Sequence, residues 1–140
     1  MIAYFDTSAV VPLLIQEEGT AEADALWAAA DRIFTARITY PEARAALGRA
    51  RRLGRIGEAQ LRGAVTKLEE HLRDVGFVEV DRRLANQAGD LAEAHALRGF
   101  DAVHLAAAEG LRGEHVIVAA GDGALLAAAR SIGLMTAVVG

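Results

Sequence analysis

The sequence predicts an α/β fold in which a mostly parallel central sheet is covered by helices on both faces. Short apolar runs alternate with helical patterns along the whole chain, and strands separated by helices pair in parallel. Hydrophobic residues make up 53% and charged residues 24% of the composition, which is typical of a globular protein. A length of 140 residues normally gives one domain, so we expect a single domain over 1–140.

The first half of the chain predicts the order β-α-α-β-α. The expected elements are a strand at 2–5, helices at about 10–14 and 21–30, a strand at 33–36 and a helix at 39–53. Pro12 fits only if it lies near the first helical turn. Thr39 and Glu42 match a capping box, with Pro41 in the first turn, and Gly54 provides a stop signal.

The second half predicts α-β-α-α-β-α-β. A helix at about 58–75 shows leucines and valines at helical spacing, and Asp81 can cap a later helix. The expected elements are that helix, a strand at 77–80, helices at 82–97 and 101–111, a strand at 115–119, a helix at 124–131 and a strand at 134–139.

Composition excludes several classes of protein. The chain has no cysteine, so disulfide frameworks, thiolate nucleophiles and cysteine-bound metals are excluded, and a reducing compartment fits. A net charge of -4 argues against nucleic-acid binding through overall positive potential. The first residues do not resemble a secretory signal, and no apolar run has the roughly 18 residues of a membrane span. We therefore expect a cytoplasmic protein.

Four acids fall where a functional crevice is expected. In open α/β sheets this crevice lies beyond the carboxyl ends of the strands. Asp6 ends the first strand, Asp122 follows the fourth, and Glu42 and Asp101 lie near helix starts. Carboxylates about 4 Å apart repel by about 4 kcal/mol at an effective dielectric of 20, so four together require a cation or protonation. Oxygen-only ligands favour Mg2+ or Mn2+.

Each acid taken alone has a simpler explanation. Asp6 can cap a helix, the capping box accounts for Glu42, and Asp101 and Asp122 can complement helix dipoles. Asp101 lies on a helix that is apolar on most sides, Phe100 included, which predicts that the helix packs on the sheet and that the carboxylate is buried. The placement of all four acids at one edge favours a shared site.

Four segments carry a resemblance to a known family. They are Ile-Ala-Tyr-Phe-Asp-Thr-Ser-Ala from residue 2, Thr-Tyr-Pro-Glu-Ala-Arg-Ala-Ala-Leu from residue 39, Leu-Arg-Gly-Phe-Asp-Ala-Val-His-Leu-Ala from residue 97 and Asp-Gly-Ala-Leu-Leu-Ala-Ala-Ala from residue 122. They resemble the PIN domain family, and within it the VapC-like toxin ribonucleases. The resemblance implies a PIN-like three-layer α/β/α fold and a metal-dependent endoribonuclease toxin. It also implies a homodimer that binds a cognate antitoxin protein.

The same resemblance assigns the site residues. It implies that Asp6, Glu42, Asp101 and Asp122 hold Mg2+ or Mn2+ and that Ser8 contributes a hydroxyl. Family members often carry Thr or Ser two residues before the fourth acid, whereas this chain has Ala120. Asp122 is therefore the least secure of the expected ligands.

Three further features have two interpretations each. An arginine-rich stretch could contact RNA phosphates or complement a helix dipole, and comprises Arg44, Arg49, Arg51, Arg52 and Arg55. His104 could shuttle protons, support the site or lie in the core. Trp27, with Leu13, Leu14 and Leu26, is expected in the core, or at an interaction surface if exposed.

Three functions remain open from the sequence. The first is an endoribonuclease that cleaves RNA with metal-activated water. The second is a catalytically idle PIN-like binding module. The third is a phosphohydrolase of the aspartyl-phosphate type, suggested by Asp6 and Thr7 but lacking an acid at position 8.

Overall fold

The computed structural model describes residues 1–140 as five parallel strands and seven helices, in the order predicted from the sequence. The elements are β1 (Ile2–Phe5), α1 (Thr7–Leu14), α2 (Thr20–Ala29), β2 (Arg32–Ala36), α3 (Thr39–Arg52), α4 (Glu58–His71), β3 (Gly76–Val78), α5 (Arg82–His95), α6 (Gly99–Glu109), β4 (Val116–Ala120), α7 (Gly123–Ser131) and β5 (Met135–Val138). None of these helices has both the length and the apolar character needed to cross a bilayer.

The strand order places a topological switch point beside β1. The order is β3-β2-β1-β4-β5, so the chain first builds outward from β1 on one side and then returns to add β4 on the other. In the register of this sheet, Ala3 lies between Ile33 of β2 and Ile117 of β4. The helices that follow β1 and β4 therefore lie on opposite faces of the sheet, and a crevice forms between the carboxyl ends of the two strands.

Two apolar cores of 18 buried residues each lie on opposite faces of the sheet. One packs β-strand residues against α5, α6 and α7, and the other packs them against α1, α2, α3 and α4. Successive side chains of β1 alternate between the two, with Tyr4 in the first core and Phe5 in the second. The three-layer α/β/α arrangement predicted from the sequence is confirmed.

Local signals fixed several helix ends correctly. The Asp81 carboxylate accepts a hydrogen bond from the Leu84 amide at 2.9 Å and caps α5. Gly54 follows α3 with a φ of 73°, a left-handed conformation that favours glycine after a helix. The last strand, β5, spans Met135–Val138 and is therefore shorter than the predicted range of 134–139.

Two boundary predictions are wrong in detail. Pro12 lies in the second turn of α1, not the first, and the helix ends two residues later, at Leu14. Helix α4 ends at His71 and not at residue 75, because the chain turns before Gly76 to enter β3. A Cβ at Gly76, the first residue of β3, would lie 2.4 Å from the Phe34 ring, so any other residue there would require the ring to move.

Candidate functional site

The switch point brings two acids to neighbouring strand ends. Asp6 directly follows β1 and caps α1, and Asp122 follows β4 and caps α7. Each carboxylate therefore lies at a helix N-terminus, where backbone amides and the helix dipole favour negative charge. The cap expected at Asp6 is confirmed, and Asp122, expected to complement a helix dipole, is a cap as well. Capping places both acids at one sheet edge, where they can also serve a shared site.

Ser8 connects these two strand ends. Its hydroxyl donates to Asp6 Oδ2 at 2.5 Å and accepts a hydrogen bond from the Gly121 amide at 2.8 Å. The Ser8 amide also donates to the same Asp6 oxygen at 3.1 Å. With its side chain only 5% exposed, Asp6 is held by backbone and hydroxyl donors at the floor of the crevice. Ala120 is a buried residue at the end of β4.

The capping box predicted at the start of α3 is absent. Ile38 occupies the N-cap position and makes no side-chain cap, so Thr39 is already the first helical residue. The Thr39 and Thr35 hydroxyls lie 2.6 Å apart, and Thr35 donates to the Phe5 carbonyl at 2.7 Å. These bonds tie the start of α3 to the ends of β1 and β2. The Glu42 carboxylate is therefore not used as a cap.

Glu42 instead meets donors from two other elements. Its Oε1 accepts a hydrogen bond from the Thr7 hydroxyl at 2.7 Å and lies 2.7 Å from His104 Nε2. His104, on α6, is 1% exposed, and its Nε2 also lies 3.3 Å from Asp6 Oδ1. The imidazole thus connects the two acids that sequence reasoning placed on separate elements. The site-supporting interpretation of His104 agrees with these contacts.

Asp101 and Asp122 share one arginine. Arg98 Nε donates to Asp101 Oδ2 at 2.8 Å, and its Nη2 donates to Asp122 Oδ2 at 3.0 Å. The carboxylate side chains are 14% and 22% exposed, whereas the arginine side chain is 80% exposed. An ion pair with so exposed a partner is weak, so the guanidinium can leave at small cost.

The acids respond to these environments in opposite directions. Burial is the largest influence on Asp101 and raises the pKa of its carboxyl, with the charges of Asp122 and Asp6 adding to the rise and Arg98 opposing it. At Glu42 burial acts in the same direction, but hydrogen bonds from His104 and Thr7 outweigh it and leave the pKa below its ordinary value. The raised pKa of Asp101 is therefore due first to burial, with the neighbouring acids adding to it.

The pKa of His104 is raised despite its burial. Burial is the largest influence and lowers it, but the Glu42 hydrogen bond and the charges of Asp6, Glu42 and Asp101 together outweigh that effect. Three of the four acids thus act on one imidazole. The electrostatic coupling of these acids shows that they share one negative region.

The acids nevertheless do not form a ready-made coordination shell. No group of three or more carboxylate or imidazole side chains lies close enough together to hold a metal ion in this arrangement. Arg98 occupies one oxygen of Asp101 and one of Asp122. Hydroxyl and imidazole donors occupy oxygens of Asp6 and Glu42. Cation binding here requires side-chain rearrangement, above all at Arg98.

The arginine-rich stretch lies away from the acids. Arg49, Arg51 and Arg52 are in the last turn of α3, about 10–15 Å along the helix axis from Glu42. Arg51 pairs with Glu58 at 3.3 Å, and Arg44 donates to the Tyr40 hydroxyl at 2.9 Å. All five arginines of the stretch are exposed. The three in the last turn of α3 fit the helix dipole and do not line the acidic crevice.

Two apolar residues differ in their outcome. Phe100 was expected to help pack α6, but its side chain is 63% exposed, because α6 buries the face that carries Ala102 and Leu105 instead. Trp27 is half-buried and packs edge-on against Phe5, with ring centroids 5.0 Å apart, which confirms the core interpretation.

Sequence reasoning missed two groups that contact the acids. Arg98 falls between the helices predicted at 82–97 and 101–111, and an arginine three residues before an acid at a helix start can reach that acid. Tyr4 falls within the strand predicted at 2–5, and its hydroxyl lies 2.7 Å from His104 Nδ1. The only sequence signal for Tyr4 was its alternation in β1 toward the face that α6 covers.

Comparison with known proteins identifies the relatives of this chain. The sequence profile of the PIN domain matches residues 3–133. The chain is 40% identical over 136 residues to Ribonuclease VapC45 of Mycobacterium tuberculosis (strain CDC 1551 / Oshkosh), a match that covers 97% of this chain and 94% of the relative.

Solved structures share the fold. The Mycobacterium tuberculosis toxin VapC20, described as cleaving the sarcin-ricin loop, superposes with a TM-score of 0.71 at 23% identity, covering 90% of this chain and 94% of that one. A toxin-antitoxin complex from Klebsiella pneumoniae superposes with a TM-score of 0.64 at 20% identity, covering 89% and 90% of the two chains.

Proposed function

The chain belongs to the PIN domain family, and on this premise we propose that it is a metal-dependent endoribonuclease, the toxin of a toxin-antitoxin pair. The observation that supports this most strongly is the convergence of Asp6, Glu42, Asp101 and Asp122 on one crevice from four separate elements. A relative named as a ribonuclease, similar along nearly the whole chain, supports the same activity.

The donor set fits Mg2+ or Mn2+ by its chemistry. Four carboxylates and the Ser8 hydroxyl offer only oxygen atoms, which hard divalent cations prefer. The raised pKa of the Asp101 carboxyl arises in part from the charges of Asp122 and Asp6, and a cation would relieve that repulsion. We propose that these four acids hold the cation once Arg98 has left Asp101 and Asp122.

In this proposal each residue has a defined task in hydrolysis. A bound divalent cation lowers the pKa of water and offsets the negative charge of a phosphodiester. Asp6 is kept in position by Ser8, and Glu42 is kept in position by Thr7 and His104. The guanidinium of Arg98, released from the acids, lies within reach of a substrate phosphate and offers it a bidentate hydrogen-bond donor.

RNA binding beyond the crevice would use other cations. We propose that Arg44, Arg49, Arg51 and Arg52 contact backbone phosphates of flanking nucleotides. Arg51 pairs with Glu58 and Arg44 donates to the Tyr40 hydroxyl, whereas Arg49 and Arg52 form neither an ion pair nor a side-chain hydrogen bond, so they are the two most available for this role. An RNA substrate would place the protein in the cytoplasm.

A small antitoxin protein is the proposed partner, and a homodimer the proposed assembly. The similar fold in a toxin-antitoxin complex supports the first of these. Arg98 gives the chemical precedent, since a guanidinium already pairs with two of the four acids. We propose that an antitoxin arginine inhibits the enzyme by occupying the same carboxylates. Inhibition that persists after every antitoxin arginine has been replaced would contradict this route.

The activity is tested by incubating the purified chain with transcribed ribosomal RNA and mapping the new 5′ ends. Cleavage is expected with Mg2+ or Mn2+ and is expected to stop on addition of a chelator. Cleavage that persists in the chelator would contradict the metal-dependent mechanism. RNA binding without any cut, at any concentration of either metal, would instead favour the catalytically idle binding module.

The aspartyl-phosphate interpretation has no observation in its favour. Asp6 is 4% exposed as a residue, and the Ser8 hydroxyl occupies its Oδ2. A nucleophilic carboxylate must be reached by the phosphorus atom of a substrate. The family match favours the nuclease.

A further inference from the structure

Both ring nitrogens of His104 have hydrogen-bond partners. Nδ1 lies 2.7 Å from the Tyr4 hydroxyl, and Nε2 lies 2.7 Å from Glu42 Oε1 and 3.3 Å from the Thr7 hydroxyl. The imidazole is 1% exposed, so these contacts are not replaced by water. Tyr4 is itself fully buried, in the central strand of the sheet, with neighbours on both sides.

The contacts determine which ring nitrogen carries the proton. The pKa of a tyrosine hydroxyl is ordinarily about 10, so the fully buried Tyr4 hydroxyl keeps its proton at neutral pH. In the neutral imidazole that hydroxyl donates to Nδ1, and the ring proton must then lie on Nε2. The opposite tautomer would point the Nε2 lone pair at the Glu42 carboxylate.

A doubly protonated ring leads to the same donor. An imidazolium carries protons on both nitrogens, so Nε2 still donates to Glu42 while Nδ1 donates to the Tyr4 oxygen. In both charge states Nε2 is therefore a hydrogen-bond donor to Oε1 of Glu42. The ring has no free lone pair with which to take a proton from water.

We propose that Tyr4 and His104 are positioning residues that fix the orientation of Glu42 toward the cation. This inference rests on the proposed function, in which Glu42 is a metal ligand. His104 and Thr7 both donate to Oε1, and Oε2 receives no donor from the protein. The carboxylate is thus held by one oxygen and leaves the other to the crevice. Partners of this kind, behind a metal ligand, typically change metal affinity by about 10–100-fold when removed.

Thr7 and His104 reach Glu42 from opposite layers of the fold. Thr7 begins α1, which packs in one core, and His104 belongs to α6, which packs in the other. Tyr4 in turn fixes the ring from the sheet itself. Glu42 is therefore held by elements of all three layers, which keeps its carboxylate in one orientation before a ligand arrives.

The first test is nitrogen-15 NMR of the wild-type histidine side chains, assigned through the backbone. The His104 ring is expected to carry a proton on Nε2 at every pH at which the protein is folded. A neutral ring with its proton on Nδ1 would overturn the proposal. This measurement needs no variant to fold.

The second test uses Tyr4→Phe, which removes only the hydroxyl. Tyr40→Phe is the matched control, because its exposed hydroxyl contacts Arg44 and Glu69 and no acid of the crevice. Mn2+ affinity, measured by electron paramagnetic resonance, is expected to fall about tenfold in Tyr4→Phe and to stay unchanged in the control. The Tyr4→Phe spectrum should also show a mixture of His104 tautomers.

A pair of His104 variants separates positioning from packing. The glutamine side-chain amide can place its nitrogen near the position of Nε2, whereas the shorter asparagine amide reaches only the region of Nδ1. His104→Gln is therefore expected to bind Mn2+ within about threefold of wild type, and His104→Asn about tenfold more weakly. Equal losses in both variants would indicate packing alone and would overturn the proposal.

The outcomes distinguish this inference from the proposed function. Wild-type protein that neither binds Mn2+ nor cleaves RNA would contradict the proposed function, and with it the role of Glu42 as a ligand. Wild-type protein that does both, with Tyr4→Phe unchanged in Mn2+ affinity and in His104 tautomer, would contradict only the positioning role of Tyr4 and His104.

Discussion

The acidic crevice has two halves that are held in different ways. In the inner half, Asp6 and Glu42 accept hydrogen bonds from hydroxyl, backbone and imidazole donors, and no arginine touches them. In the outer half, Asp101 and Asp122 pair with the exposed Arg98. The halves are named for their partners and not for their depth, since the Glu42 side chain is 25% exposed and that of Asp101 14%. The inner half fixes geometry through several donors that belong to the fold. The outer half neutralises charge through a side chain that can move.

The pKa directions follow this division. Hydrogen bonds from His104 and Thr7 stabilise the charged form of Glu42 and outweigh the effect of burial, so its pKa is lowered. At Asp101 the ion pair with Arg98 does not outweigh burial and the acidic neighbours, so its pKa is raised. The carboxyl pKa values of these two partly buried acids at one sheet edge therefore shift in opposite directions. The difference teaches that short bonds from several directions protect a buried charge better than one exposed ion pair.

The largest expected effect comes from removing one charge in each half. Asp6→Asn and Asp101→Asn should each lower RNA cleavage by at least about 100-fold, because each removes a cation ligand while keeping the shape of the side chain. Cleavage assays at saturating Mg2+ check this. Wild-type activity in either variant under those conditions would show that the affected half is not part of the metal site.

Unfolding measurements on the same variants provide the control. The raised pKa of Asp101 means that the folded wild type holds this proton more tightly than the unfolded chain does. Its stability therefore falls as pH rises from the ordinary carboxyl pKa through the raised value. Asp101→Asn lacks this loss, so its stability relative to wild type should increase across that window and stay higher at neutral pH.

The second effect concerns the acidic limb of the rate profile. As pH falls, Asp101 should take up a proton before Glu42, because the pKa of the first is raised and that of the second is lowered. Protons then compete with the cation at the outer half. Raising Mg2+ about tenfold should shift the limb to lower pH by up to about one unit.

Rates measured across pH at the two Mg2+ concentrations check this prediction. His104→Gln tests the alternative in which the histidine acts as general base. A limb near neutrality that ignores Mg2+ and disappears in this variant would move the chemistry from the carboxylates to the histidine.

The third effect tests the mobile arginine. Arg98→Gln should bind Mn2+ about fivefold more tightly, because the cation no longer has to displace a guanidinium from Asp101 and Asp122. The same variant should cleave RNA more slowly, because the phosphate loses a donor. Arg37→Gln is the matched control, since Arg37 pairs with the exposed Glu79 at 2.7 Å. Weaker Mn2+ binding in Arg98→Gln would mean that the arginine organises the acids and does not compete for them.

The smallest effect is expected at the end of α3. Replacing Arg49 and Arg52 by glutamine should weaken RNA binding by about twofold to threefold and reduce its salt dependence, with no change in Mn2+ affinity. Filter binding at several salt concentrations checks this. If the salt dependence is unchanged, these arginines only complement the helix dipole.

Much of the fold could be predicted because its signals are local. The apolar run of β1, the cap at Asp81 and the stop at Gly54 each act within a few residues of the element that they delimit. Alternation of strands and helices implied a parallel sheet, and a parallel sheet gathers strand ends at one edge. The four acids could therefore be placed together before any contact between them was known.

The errors occurred where a local pattern competed with a distant partner. Thr39 matched a capping box, but its hydroxyl bonds with Thr35 and the helix begins one residue earlier than that pattern requires. Phe100 fitted an apolar helix, but the rotation of α6 on the sheet turns it outward. Periodicity indicates that a helix has a buried face, and only packing decides which residues at its ends belong to that face.

The sequence by itself determined the order of elements, the parallel sheet and the acidic edge, because backbone geometry and apolar spacing are set by neighbouring residues. Only the tertiary structure decided how the acids are held. Tyr4 and His104 are 100 positions apart, and His104 and Glu42 are 62 apart. Arg98 and Asp122 are 24 apart. Such contacts depend on the strand order and on the rotation of each helix against the sheet, which no local pattern records.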